Sequence, residues 1–127
     1  MSRIPFLVLA ALLGAPGPAA VAGDAGPPDW ADVGPIFAER CVNCHSAVGA
    51  GLGLRLDSYA AALAGSEKGA VRVPGAAARS ELIRRLRGES RPRMPFLSYP
   101  LEPEQIDLIA RWIDAGLPEG AGEDPAR

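Results

Sequence analysis

The sequence predicts a small all-α domain, and three observations predict it. Strand signals are nearly absent, and Val71-Arg72-Val73 is extended at most because Pro74-Gly75 stops it. Apolar residues recur at helical spacing in several short segments, most of them opened by a capping residue or closed by a glycine. The stretch from Pro103 to Gly116 carries the clearest helical pattern of all.

The chain opens with a segment that does not belong to the fold. Met1-Ser2-Arg3 is short and basic, Ile4 to Leu13 is apolar apart from Pro5, and Ala20-Val21-Ala22 fits a small-residue cleavage site. Residues 1–22 therefore read as a signal peptide cut before Gly23, with periplasmic export as the consequence. The apolar run is too short to span a bilayer comfortably, so no transmembrane span is expected after cleavage; an uncleaved anchor is the competing reading. No cysteine lies near the cleavage site, which excludes a lipid anchor. Cleavage leaves 105 of the 127 residues, room for one domain. Loss of Arg3 moves the formal charge from −2 to −3, too mild a balance to point to nucleic acid.

Residues 23–29 are rich in Gly and Pro and read as a disordered lead-in to a domain spanning 30–118. Asp29 or Asp32 can cap a helix running to about Cys41, in which Val33, Ile36 and Phe37 form one apolar stripe. Gly34-Pro35 weakens that helix near its start, since proline is comfortable only in a first turn. Ser46 to Leu56 reads as a loop, and Asp57 as the N-cap of a short helix, Ser58 to Ala64, ended by Gly65. Ser66 to Ala70 reads as a surface turn holding the only lysine, Lys68. Ser80 is the expected N-cap of Glu81 to Arg87, with Leu82, Ile83 and Leu86 on one arc and Gly88 closing it. Three prolines stiffen Ser90 to Pro100, with Met94 at the centre of that loop. In the last helix Pro103 suits the first position, and Leu101 and Ile106 are spaced as a hydrophobic staple around Glu102. Ile106, Leu108, Ile109, Ala110, Trp112 and Ile113 share its broad apolar face. Residues 119–127 form an acidic tail expected to be flexible.

The chemistry is concentrated in Cys41-Val42-Asn43-Cys44-His45, which holds both cysteines and the only histidine. C-x-x-C-H reads as a c-type haem attachment site. Two thiols on one helical turn can form thioethers to neighbouring substituents of one porphyrin edge, and the next residue places its imidazole under the iron. A thioredoxin-like redox pair needs a βαβ pattern that is absent, and a four-ligand zinc site needs a ligand the chain lacks. One covalent haem c is therefore the expected cofactor, and it would supply much of the apolar bulk of a small core.

With one histidine, bis-histidine ligation within the chain is impossible. Met1 leaves with the signal peptide, so Met94 is the only thioether of the mature chain and the expected sixth ligand. Lys68 and an open site holding water are the alternatives. A methionine in such a loop is otherwise an adaptable apolar filler. A soft sulfur favours ferrous iron, and a filled coordination sphere lets iron exchange an electron without changing ligands. That is what an electron carrier requires. No Ser/His/Asp set and no glycine-rich phosphate loop points to other catalysis, so the chain is not expected to be an enzyme.

At this point the chain resembles a class I c-type cytochrome, and more narrowly the planctomycete-type cytochrome c domain, from about Trp30 to Leu117. The resemblance rests on the Cys41–Ser46 attachment segment, on Gly53-Leu54-Arg55-Leu56-Asp57-Ser58, and on Val73-Pro74-Gly75 with Ser80-Glu81-Leu82. It rests also on Arg93-Met94-Pro95 and on Leu101 through Gly116. It implies a helical fold around one haem in which the first and last helices cross, with Gly34 and Phe37 meeting the Trp112 face. Many class I cytochromes carry a proline soon after C-x-x-C-H whose carbonyl orients the imidazole. Here no proline falls between His45 and Pro74, so the resemblance names no partner for the second His45 nitrogen.

In that family the domain often accompanies larger modules in long chains; here it is read as standing alone, and so as a free carrier expected to be monomeric. A haem enzyme or sensor with a labile Met94, acting on peroxide or a small gas, is the alternative. From Arg79 to Arg93, six arginines face only Glu81 and Glu89, a local +4 that leads into Met94. Such a patch can steer an acidic redox partner. The bland reading is a solvated helix face with one or two arginines held by haem propionates.

Overall fold

Capped apolar stripes become four helices in the computed structural model, which describes residues 26–120. They are α1 (Trp30–Arg40), α2 (Tyr59–Ala64), α3 (Glu81–Arg87) and α4 (Pro103–Asp114). Among the described residues the only β pairing is an isolated Ser66–Gly69 bridge, inside the expected surface turn. The signal peptide and its cleavage site, and residues 121–127 of the acidic tail, lie outside the described residues. Of the lead-in, Pro28 is buried and Asp29 belongs to the cap of α1.

Asp29 and Asp32 both close α1 rather than competing for the role. The Asp29 carboxylate accepts from Ala31 N–H at 2.8 Å, and Asp32 reaches back to Asp29 N–H at 2.9 Å. Pro35 sits in the second turn without ending the helix. It removes one backbone donor, but Val33, Ile36 and Phe37 are buried, and tertiary packing of that stripe outweighs the lost bond.

Two caps differ from the sequence reading. Ser58, not Asp57, caps α2, its hydroxyl accepting from Ala61 N–H at 3.2 Å. Asp57 is held elsewhere, by Arg55 at 2.9 Å and by Ala47 N–H at 3.3 Å. Ser80 does occupy the N-cap of α3, yet its side chain caps nothing. Its fully buried hydroxyl accepts from Val73 N–H at 2.8 Å and is 3.1 Å from the Ala76 carbonyl, to which it donates. The hydroxyl fastens the Val71–Val73 stretch to the start of α3 instead. A short 3₁₀ turn at Ala77–Arg79, not foreseen from the sequence, precedes it.

The core is the seam between α1 and α4. Phe37 and Trp112 meet edge to face at 6.1 Å, and Trp30 lies 5.6 Å from Phe37, 5.8 Å from Trp112 and 5.9 Å from Tyr59. Phe37 therefore meets Trp112 as the resemblance implied. At Gly34 a Cβ would first meet the Trp30 indole, at 3.2 Å. The glycine lets that ring lie across the helix and wedge between α1 and α4.

After α4 the chain turns back onto this cluster. The Pro118 carbonyl accepts from Trp112 Nε1–H at 2.9 Å and from Trp30 N–H at 3.1 Å. Tyr59 donates its hydroxyl to the Leu117 carbonyl at 2.8 Å, drawing α2 in. On the other side, Ala77 N–H meets Asp114 at 2.8 Å and Gly75 N–H meets the Ile113 carbonyl at 2.8 Å. The end of α4 thus holds the turn from which α3 departs. Two mouths of chain are left to carry chemistry: the C-terminal end of α1, and the loop after α3.

Candidate functional site

The Cys–His segment is a continuation of α1. Cys41 N–H and Val42 N–H both bond the Phe37 carbonyl, at 2.9 and 3.0 Å, so the helix widens in its last turn as it ends. Cys44 N–H and His45 N–H then share the Cys41 carbonyl, at 3.1 and 2.9 Å. One turn therefore presents Cys41, Cys44 and His45 together, with Phe37 anchoring its base in the core. Both cysteines are free thiols, Cys41 half-buried and Cys44 exposed. Burial pushes the Cys41 thiol up to about 11, with the Arg40 charge pulling the other way and Cys44 adding to the rise.

His45 is held by backbone alone. Its Nδ1 lies 3.2 Å from the Leu54 carbonyl oxygen. A carbonyl can only accept, so Nδ1 carries the hydrogen, and in the neutral ring the Nε2 lone pair is left free. The partner that the resemblance left unnamed is thus Leu54 of the following loop. That loop is bound back on the turn: Leu56 N–H meets the His45 carbonyl at 2.8 Å and Gly51 N–H meets the Cys44 carbonyl at 3.3 Å. Gly51 passes close against the ring, where a Cβ would stand 3.4 Å from His45 Cε1. No side-chain signal could have revealed Leu54, because its carbonyl does the work.

Met94 arrives from elsewhere. Its N–H bonds the Arg85 carbonyl of α3 at 3.1 Å, and its half-buried side chain packs against the core. Arg40, one residue before Cys41, donates to the Tyr99 carbonyl at 2.7 Å and so ties the end of α1 to the loop carrying Met94. The structure brings the two cysteines and His45 together on one turn; it brings Met94 to the same core through α3, with no hydrogen bond between the two. Lys68 is exposed on the Ser66–Gly69 turn. Leu52, beside the His45 loop, and Phe96, Leu97 and Tyr99, beyond Met94, are exposed apolar residues on the two segments that flank the site.

These features test whether a haem fits. The turn offers two reduced thiols at the attachment spacing, the imidazole is oriented by its Nδ1 contact with the Leu54 carbonyl, and apolar side chains border both segments. Among the described residues no group of three or more His, Cys, Asp or Glu side chains gathers as a metal cluster, so a zinc reading gains nothing. Nor is any described helix long and apolar enough to cross a membrane. The residues present fit a covalently held haem.

A small helical fold with a C-x-x-C-H turn and a pinned imidazole is consistent with a cytochrome c-like domain. Residues 41–95 match the family model described as Planctomycete cytochrome C, the family that the sequence motifs resemble. The matched residues contain Cys41, Cys44, His45 and Met94; α1 and α4 lie outside them. Neither a curated protein nor a solved structure matches the chain.

Proposed function

We propose that the chain is an exported mono-haem c-type cytochrome that carries single electrons, with thioethers at Cys41 and Cys44 and iron ligated by His45 and Met94. The observation that carries this reading is the Nδ1 contact of His45 with the Leu54 carbonyl, on a turn that also presents both thiols. A ring fixed in this tautomer and orientation is prepared for one role, donation from Nε2. When bound, the haem supplies the one-electron couple. The chain supplies the rest: two covalent tethers, a fixed imidazole, a single thioether on a loop braced by Arg85, and a core that keeps that loop in place. The filled coordination sphere that His45 and Met94 would give the iron favours a carrier over an enzyme.

The exposed arginines near Met94 support docking to an acidic redox partner. Arg85 and Arg84 pair with Glu81, at 2.7 and 3.7 Å, and Arg87 lies 3.8 Å from Asp107. Arg79, Arg91 and Arg93 are exposed and form no ion pair among the described residues. The docking charge is therefore assigned to these three rather than to the whole run. The reading is tested by potentiometric titration of the purified protein: one reversible electron per chain, with a ferric spectrum showing the sulfur-to-iron charge-transfer band, is expected. A ferric spectrum without that band and with ready peroxide turnover would move the chain to the enzyme or sensor class.

A further inference from the structure

We infer that Arg72 is the residue that holds a haem propionate, keeping that carboxylate ionised inside the protein. The inference rests on the haem reading above and deepens it.

Arg72 is buried, with 3 % of its surface exposed, and its Nε and Nη1 atoms have no hydrogen-bond partner among the described residues. A buried guanidinium without an anion is among the most unfavourable arrangements a small domain can hold. Burial alone lowers its ionisation, to about 10, so it remains a cation at neutral pH. No other described arginine is in this position. Arg40 donates to Tyr99, Arg55 pairs with Asp57, and Arg84, Arg85 and Arg87 have carboxylate partners. Arg79, Arg91, Arg93 and Arg111 are exposed to water.

The described carboxylates do not serve it. Asp57, Glu81 and Asp107 are committed to other arginines, Asp29, Asp32 and Glu102 close helix starts, and Asp114 binds Ala77 N–H. The counter-anion that suits Arg72 is one that arrives with the cofactor. A propionate is a carboxylate, and guanidinium matches it in a planar, two-point geometry.

Hydrogen bonds tie the segment that carries Arg72 to both ligand-bearing segments. Upstream, Glu67 N–H bonds the Leu52 carbonyl at 2.8 Å, and Leu52 adjoins Gly51 at the edge of the His45 ring. Downstream, Leu82 N–H bonds the Val71 carbonyl at 2.9 Å and Ser80 binds Val73 N–H at 2.8 Å, so Arg72 is strapped to α3, the helix that holds Met94 N–H. Neither strap uses the Arg72 side chain. The sequence hid this role: Arg72 lies outside the arginine-rich run, and it is buried between two half-buried valines.

The functional consequence concerns protons. A carboxylate paired with a buried cation stays ionised whether iron is ferric or ferrous, so electron uptake brings no proton with it. The test compares wild type, Arg72→Leu and Arg72→Lys as haem-loaded proteins. Two readouts are taken: reduction potential against pH, and ¹³C NMR of labelled propionate carboxyls in the ferrous state. In wild type, one carboxyl carbon should stay unshifted from about pH 5 to about pH 8, and the potential should be flat there. In Arg72→Leu the proton affinity of that propionate should rise at least about tenfold, about one pKa unit. Its carbon should then titrate within the window, and the potential should fall with rising pH, towards one proton per electron. Arg72→Lys, which keeps the charge, should stay near wild type. A purely space-filling Arg72 would leave the leucine variant's pH profile unchanged, and that result overturns the inference. So does a wild type in which both propionates titrate as ordinary carboxylates. If Arg72→Leu yields no holoprotein, the wild-type NMR titration decides alone. Covalent haem is checked first on a denaturing gel, so a failure of the haem reading is seen separately.

Discussion

Replacing Met94 with alanine separates a ligand from a filler. The side chain is half-buried against the core, and its backbone bond to the Arg85 carbonyl survives the change. Truncating a fully buried methionine to alanine costs about 2–5 kcal/mol, so a half-buried one should cost about 1–2 kcal/mol through packing alone. For a domain of this size each kcal/mol lowers the melting midpoint by about 4–8 °C. Packing alone therefore predicts a loss of roughly 4–16 °C with an unchanged spectrum. Ligation predicts more: loss of the ferric sulfur-to-iron band, a lower potential, and carbon monoxide binding to ferrous iron. Met94→Leu keeps the volume and restores the packing without a sulfur, so it should recover most of the melting loss and none of the spectrum. Thermal melts by circular dichroism and ferric spectra on the same samples give both answers. A pair of variants that melt lower yet keep the band, the potential and inertness to carbon monoxide would refute Met94 as ligand.

Trp112 is fully buried, packs against Trp30 and Phe37, and donates to Pro118, so Trp112→Ala should cost about 3–5 kcal/mol in denaturant melts of the holoprotein. Trp112→Phe should cost less, because the Pro118 carbonyl keeps its bond from Trp30 N–H; equal losses would argue against the seam as described. Glu81 is held below its ordinary value of 4.5, chiefly by its hydrogen bond from Arg85. A depressed carboxylate contributes stability above its unfolded value, and that contribution fades as pH falls through the folded one. Glu81→Gln should therefore lower stability at neutral pH and flatten its loss in acid, and parallel pH–stability curves for variant and wild type would reject the pair as a stabilising contact. Reversing Arg91 and Arg93 to Glu should weaken or invert the fall in electron-transfer rate to an acidic partner as salt is added, since exposed charges are screened beyond about 10 Å at 0.1 M. Unchanged rates at every ionic strength would leave those arginines as a solvated surface.

Local rules carried much of this fold in plain sight. The stripe Val33, Ile36, Phe37 and the face of α4 are buried, Leu108 only in part, and Gly65 and Gly88 end their helices with positive φ. Where local reading failed, a longer-range partner had claimed the residue. Asp57 looks like a cap until Arg55 and Ala47 are seen to hold it, and Ser80 caps nothing because Val73 competes for its hydroxyl. Gly34-Pro35 looks like a weak point of the first helix until the core is seen to carry the helix through it. The Cys–His turn was legible because its chemistry lies in three side chains at fixed spacing. The Leu54 carbonyl was not, because backbone acceptors leave no mark on residue type. Arg72 was not, because a charged residue in an extended stretch reads as surface until its burial is known.

Covalent haem at the Cys41–Cys44 turn is the claim on which the rest depends. The full chain, expressed in a host that exports and attaches haem, is run on a denaturing gel and stained for haem peroxidase activity beside Cys41→Ala/Cys44→Ala. The account predicts a haem-stained band at the position of the wild-type chain and none for the double variant, whose circular dichroism should also lose most of its helical signal, since about 105 residues are marginal without a cofactor in the core. A wild-type band that never stains, or a double variant that keeps both stain and cooperative melting, would contradict it.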